Sequence, residues 1–251
     1  MTEYAPVRPG QKRLGLVIDL DTCVGCHACV TACKSWNTSG HPGPLGDADP
    51  YGAAPEGAFL NRVHSFEADG GCGRTVHFPR SCLHCAEPAC VTVCPTGASY
   101  KRPEDGIVLV AADLCIGCGL CAWACPYGAR ELDPVEHTMK KCTLCVDRID
   151  NQNLSASERQ PACVLACPTR ARHFGDLGDP ESAVSRLVAE RGGTALLPEL
   201  GYQPTNRYLP PREPVDVLAQ AATTTGPAAS LPAPGTGADR LFRWLDRVLG
   251  A

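Results

Sequence analysis

Apolar and polar positions form only short patterned stretches along this 251-residue chain. Leu14-Gly-Leu-Val-Ile-Asp19 and Gly106-Ile-Val-Leu-Val110 are brief apolar runs and predict strands. Phe59-Leu-Asn-Arg-Val-His-Ser-Phe66 and Arg74-Thr-Val-His-Phe78 flank Ala68-Asp-Gly-Gly-Cys-Gly73 and predict a β-hairpin. Ahead of it, residues 41–55 are a Pro/Gly-rich loop. Residues 181–191 set Val184, Leu187 and Val188 at helical spacing. Residues 201–237 are rich in Pro, Ala and Thr without a period, which predicts extended or disordered chain. Residues 239–250 predict an amphipathic helix capped by Asp239, with Leu241, Leu245, Val248 and Leu249 on one face. No run is long enough to span a bilayer. The N-terminus has neither a charged-then-apolar leader nor a twin-arginine pair, so a soluble chain without an export address of its own is expected.

The patterned stretches are interrupted by four cysteine groups: Cys23, Cys26, Cys29 and Cys33; Cys82, Cys85, Cys90 and Cys94; Cys115, Cys118, Cys121 and Cys125; Cys142, Cys145, Cys163 and Cys167. Each ends in C-x-x-x-C. Pro95, Pro126 and Pro168 follow three of them, and Lys34 follows the first. This is an internal repeat of strand, cysteine loop, short helix and proline stop. The loops are expected to be irregular, with backbone amides turned in toward the sulfurs.

Composition sharpens this reading. The chain holds 17 cysteines, far too many for ordinary usage in a chain of this length. Small secreted disulfide scaffolds are this rich but much shorter, and C-x-x-C points two thiols at one centre. Aromatics make up 6%, against 25 Gly and 23 Pro, so the conventional core is thin. A bound metal group supplies folding free energy in such a chain, and removing it is expected to unfold it. Cys₄ zinc sites use two C-x-x-C pairs rather than triplets with a trailing Cys-Pro. The triplets suit three corners of a [4Fe–4S] cube, and the fourth cysteine reaches the other cluster of a pair. The groups must therefore work in twos. Pairing by chain order, first with second and third with fourth, is the simplest; spacing alone leaves a nested pairing open. A [3Fe–4S] cluster would need a missing motif cysteine, and none is missing. Sixteen cysteines thus call for four [4Fe–4S] clusters.

Other residues add less. Cys72, outside the motifs, reads as a free thiol at the surface or under a partner, with a redox or ligand role as the alternative. His27 and His84 lie inside cysteine loops and are expected to pack against sulfurs rather than ligate. Lys34, Lys140, Lys141 and Arg130 either tune the sites or are solvated charges. Trp36 and Trp123 are expected in the core. The formal charge is −4; four oxidised clusters bring it to roughly −12, which argues against nucleic acid as a partner. Gly117-Cys118-Gly119 is not a dinucleotide fingerprint, and no catalytic constellation is visible. The chain reads as a conductor of electrons, with substrate chemistry elsewhere.

The run from Cys82 through Cys94-Pro-Thr-Gly-Ala-Ser-Tyr-Lys101, then Cys115-Ile-Gly-Cys-Gly-Leu-Cys-Ala-Trp-Ala-Cys-Pro-Tyr-Gly-Ala-Arg130 and Lys140-Lys-Cys-Thr-Leu-Cys-Val-Asp147, resembles the iron–sulfur subunit of the dimethyl-sulfoxide-reductase (molybdopterin oxidoreductase) superfamily. The resemblance spans about residues 14–178. It implies the nested pairing: Cys23, Cys26, Cys29 with Cys167; Cys142, Cys145, Cys163 with Cys33; Cys82, Cys85, Cys90 with Cys125; and Cys115, Cys118, Cys121 with Cys94. The fold implied is α+β, two interlocked bacterial dicluster-ferredoxin-like modules with a β-hairpin insertion and an extended C-terminal tail. Residues 14–34 with 137–178 form the first module and 80–136 the second; 35–79 are the insertion, and 179–251 a helix and tail. The implied partners are a molybdopterin catalytic subunit and a quinone-linked integral membrane subunit. The cluster on Cys23 is expected nearest the catalytic subunit and that on Cys142 nearer the membrane. The place implied is peripheral, on the cytoplasmic face of the inner membrane, or the periplasm if the catalytic subunit carries the chain across. Ala32-Cys-Lys-Ser-Trp-Asn-Thr-Ser-Gly40 and the insertion are similar, within the family, to the sulfite dehydrogenase iron–sulfur subunit. The tail after Gly201 departs from the family, and is expected to clasp a partner. Two other readings are a free-standing polyferredoxin and an iron–sulfur redox sensor.

Overall fold

In the computed structural model, the described residues are 10–38, 58–67 and 75–212. They belong to the unit Met1–Arg212. The Pro/Gly loop at 41–55, the hairpin turn with Cys72 and the amphipathic helix at 239–250 lie outside the described residues.

Strand β1 (Leu14–Asp19) is buried at Leu16, Val17 and Ile18. Such a strand needs partners on both edges and cover on both faces. Its edges pair with β8 (Arg172–Asp176), antiparallel, and β9 (Arg207–Leu209), parallel. Helix α6 (Ala183–Arg191) covers Val17 and Leu209 through Val184, Leu187 and Val188. Its start is fixed by Ser182, whose Oγ accepts the Ser185 N–H, and its end by Gly192 at φ 62°. Leu16 and Ile18 point the other way, into a core that includes Cys29, Cys82, Cys142 and Cys163. The thiol-bearing residues are thus core residues.

Strand β9 departs from the sequence expectation, because residues 201–212 are tied into this domain rather than left free. Buried Asn206 carries the tie: its Oδ1 accepts the Leu16 N–H at 2.9 Å and its Nδ2 donates to the Cys82 carbonyl at 3.1 Å. Thr205 donates its hydroxyl to the His84 carbonyl, and its N–H to that of Leu83. Residues 202–206 therefore bind the second cysteine loop to β1.

The hairpin strands are β2 (Asn61–Glu67) and β3 (Thr75–Ser81), with Asn61 opposite Ser81. They start and end later than the alternation suggests: β3 continues through Pro79, tolerated because the ribbon has only two strands. Phe78 stacks on Tyr208 with ring centroids 4.5 Å apart, and Tyr208 donates to the Pro79 carbonyl. Two further ribbons pair β4 (Ser99–Lys101) with β5 (Val108–Val110), and β6 (Glu131–Leu132) with β7 (Met139–Lys140).

Three single-turn helices each carry the third cysteine of a group: α2 (Ala89–Thr92), α3 (Leu120–Trp123) and α5 (Ala162–Leu165). A proline stops each soon afterwards. In the first group Lys34 replaces that proline, and α1 (Ala28–Asn37) runs on for ten residues. Helix α4 (Val146–Ile149) follows the second cysteine of the fourth group. Helix α1 packs on α5, and α2 on α3.

Candidate metal centres

The cysteine loops share one backbone device. The residue before the second cysteine has positive φ in all four groups: Gly25 67°, His84 48°, Gly117 66° and Leu144 53°. This left-handed kink swings the two flanking thiols to one side. A Cβ at Gly25 would run into the His77 ring, and one at Gly117 into the His137 carbonyl oxygen, so glycine serves both purposes there. His84 and Leu144 take the same conformation as fully buried residues held by their surroundings.

The fold gathers the thiols into four foursomes. Cys23, Cys26, Cys29 and Cys167 line one cavity (site I). The Cys33 thiol faces those of Cys142, Cys163 and Cys145 (site II). Cys85 faces Cys82, Cys90 and Cys125 (site III). Cys94, Cys115, Cys118 and Cys121 line a second cavity (site IV).

The sites form a row. Cys163 of site II neighbours Cys29 of site I, Cys142 of site II neighbours Cys82 of site III, and Arg130 spans Cys90 of site III and Cys121 of site IV. All four thiol residues of site II are buried, whereas Cys26 of site I and Cys118 of site IV are exposed. Site II is thus interior to the row, and site IV is the end opposite site I.

Backbone amides point at the sulfurs: Ser99 N–H to Cys94 (3.3 Å), Met139 N–H to Cys115 (3.3 Å), Ala162 N–H to Cys145 (3.4 Å) and Ala171 N–H to Cys167 (3.2 Å). Asn37, delivered by the extra length of α1, aims its Nδ2 at both Cys33 (3.7 Å) and Cys145 (3.6 Å), and Thr143 donates to its Oδ1. Sequence reasoning missed Asn37; the signal was the missing proline after Cys33.

Burial pushes eight of the sixteen thiols up. Cys142 rises to about 11 by burial and then by the nearby Cys163, and Cys33 rises well above the ordinary range by burial and the thiols of Cys142, Cys163 and Cys145. Four such thiolates cannot share a buried site without a strong local cation.

Two histidines were singled out in the loops. His84 is fully buried and its Nδ1 accepts the Val108 N–H at 3.1 Å. Burial and then the Lys141 and Arg130 charges hold its pKa well below normal, so the ring is neutral with its proton on Nε2. Among the described residues, that buried Nε2 donor has no protein partner. His27 is half-buried, and burial followed by His77 lowers its pKa.

The solvated-charge reading fails for three of four cations. Lys34, Lys141 and Arg130 are buried; Lys34 lies 3.7 Å over the Phe59 ring, and Lys141 donates to the Val108 and Cys142 carbonyls. Lys140 pairs with Glu136 at the surface. Arg172, unmarked by sequence reasoning, is buried beside sites I and II, and its signal was the repeat: it follows Cys167 by five positions as Arg130 follows Cys125. The tryptophan expectation is also corrected. Trp123 is 89% exposed, and Trp36 lies at the surface, donating to Asp147 with Arg148 across its ring.

These residues fit an iron–sulfur group. All sixteen motif cysteines are free thiols. Among the described residues no three His, Cys, Asp or Glu side chains close on a point as they do around one metal ion. Thiols that share a cavity without closing on a single ion suit a cube of several irons. Buried donors beside them that have no partner among the described residues, His84 Nε2, Arg130 Nη1 and Arg172 Nη1, suit the sulfides of that cube.

The comparisons agree. A family model described as a 4Fe-4S dicluster domain matches residues 74–177, and one described as a 4Fe-4S binding domain matches residues 14–35. The chain is 62% identical over 202 residues to a sulfite dehydrogenase subunit of Allochromatium vinosum, covering 80% of this chain and 84% of that one. It is 38% identical over 193 residues to a polysulfide reductase subunit of Wolinella succinogenes, covering 77% and 92%. It is 36% identical over 202 residues to a tetrathionate reductase subunit of Salmonella typhimurium, covering 78% and 72%. Sulfur-ligand spacing, fold and relatives together place the chain in the iron–sulfur electron-transfer subunits of the molybdopterin oxidoreductase superfamily.

Proposed function

We propose that the chain relays single electrons through four [4Fe–4S] clusters, one in each of sites I to IV, from a sulfite-oxidising molybdopterin subunit to a quinone-reactive membrane subunit. The observation that carries this reading is the row: four foursomes in sequence, with exposed thiol residues, among those described, only at sites I and IV. A bound cluster supplies a one-electron couple at each site. The chain's own residues do the rest. The sixteen cysteines hold the irons, and the amides of Ser99, Met139, Ala162 and Ala171 stabilise negative sulfur.

Residues 14–34 with 137–178 act as the module for sites I and II, and 80–136 as the module for sites III and IV, with 35–79 inserted between them in the chain. Site I faces the catalytic subunit. Site IV faces the membrane subunit, where Ile116, Leu120 and Trp123 are exposed around Cys118. The chain is peripheral on the cytoplasmic face; among the described residues no helix is long and apolar enough to cross a membrane.

Sulfite as substrate rests on the 62% identity to the Allochromatium vinosum protein. The test is anaerobic purification of the assembled complex followed by addition of sulfite. Bleaching of the iron–sulfur absorbance, reversed by an oxidised quinone analogue, is the expected result. A complex bleached by dithionite but not by sulfite contradicts the substrate, and a chain that purifies alone contradicts the partners.

A further inference from the structure

Arg130 and Arg172 hold equivalent places in the repeat, five residues after the last cysteine of the third and fourth groups. Both are buried. Arg130 Nη2 donates to Cys90 Sγ of site III at 2.9 Å and to Ser99 Oγ at 2.7 Å, and the guanidinium also reaches Cys121 of site IV. Arg172 Nη2 donates to Asn61 Oδ1 at 2.7 Å. Its guanidinium lines the site I cavity and also reaches Cys163 of site II. Ser99, the anchor of Arg130, itself stands five residues after Cys94, so the same repeat position supplies both the cation and its support.

Neither arginine makes an ion pair with a carboxylate among the described residues. Burying an unpaired guanidinium is costly, and arginine cannot shed its proton. The countercharge nearest each one is therefore thiolate sulfur and what that sulfur holds. A fixed positive charge in a low-dielectric interior favours the more negative redox state of its neighbours. Reduction of a site adds one electron, delivered from the adjacent site or partner, and no proton is needed because the arginine charge is permanent.

We propose that Arg130 and Arg172 are potential-setting residues, each shared by two adjacent clusters: Arg130 raises the reduction potentials at sites III and IV, and Arg172 those at sites I and II. This rests on the cluster-holding reading above. A charge shared in this way shifts both members of a pair in the same direction.

The test uses the assembled complex, with iron counted first and each potential then titrated by electron paramagnetic resonance. Wild-type chain with well under about sixteen iron contradicts the cluster reading before any arginine is changed. With iron complete, Arg130→Gln is expected to lower two of the four potentials and Arg172→Gln the other two, without overlap. Arg130→Lys and Arg172→Lys, which keep the charge, restore most of each shift. Four unchanged potentials, a uniform fall of all four, or lysine variants as low as the glutamine ones overturn the proposal. Should a glutamine variant fail to hold iron, Ser99→Asp and Asn61→Asp neutralise Arg130 and Arg172 in place. Each is then expected to lower the same pair, and unchanged potentials again overturn the proposal.

Discussion

Cys33 follows Cys29 by four residues, yet its thiol faces a group more than a hundred residues away. A pair of substitutions tests that exchange. Cys33→Ala and Cys142→Ala each remove up to about four iron, and together still remove about four, because both act on one site. Loss of about eight in the double variant would show that they serve different clusters. Asn37 offers a finer test, since its amide is aimed at two sulfurs of site II. Asn37→Leu is expected to lower one potential while iron content stays whole, because hydrogen bonds to sulfur raise the potential. The cysteines were legible in the sequence because a thiolate ligand is specified by type and spacing. Asn37 and Arg172 were marked only indirectly, by the missing proline after Cys33 and by the repeat position of Arg130, and Asn61 not at all, because an amide or guanidinium acts by where the folded chain places it. Trp123 misled for the opposite reason: an aromatic side chain suggests a core, but α3 is a single turn and presents it to solvent.

Among the elements, β1 was legible from its apolar run, and the single-turn helices from the prolines that end them. Segment 202–209 was not, since three strand residues and a buried asparagine leave no period. Its importance is testable by truncation. A chain ending after Arg212 is expected to keep about sixteen iron, and one ending after Gly201 to lose iron, since β9 and the Asn206 tie are gone. Equal iron in both would show the tie to be dispensable. Asn206→Ala strands the Leu16 N–H and the Cys82 carbonyl, at a cost of about 2 kcal/mol. It is expected to speed cluster loss in denaturant by roughly tenfold, read from the decay of visible absorbance.

The whole molecule is organised by its row of sites. Burial falls from site II outward to exposed Cys26 and Cys118 at the two ends. Partner contact belongs at those ends, where electrons enter and leave. Trp123→Glu is expected to weaken recovery of the membrane subunit on copurification while iron and potentials stay as in the wild type; recovery unchanged would place that subunit elsewhere. Cysteine residues sit in the main hydrophobic core with Leu16, Ile18 and Ile107, so cofactor loading and folding are coupled. The most direct measurement is therefore iron and acid-labile sulfide per chain in anaerobically purified complex, corrected for the catalytic subunit's own content. About sixteen of each is expected. About eight iron, or zinc in its place, would contradict the account.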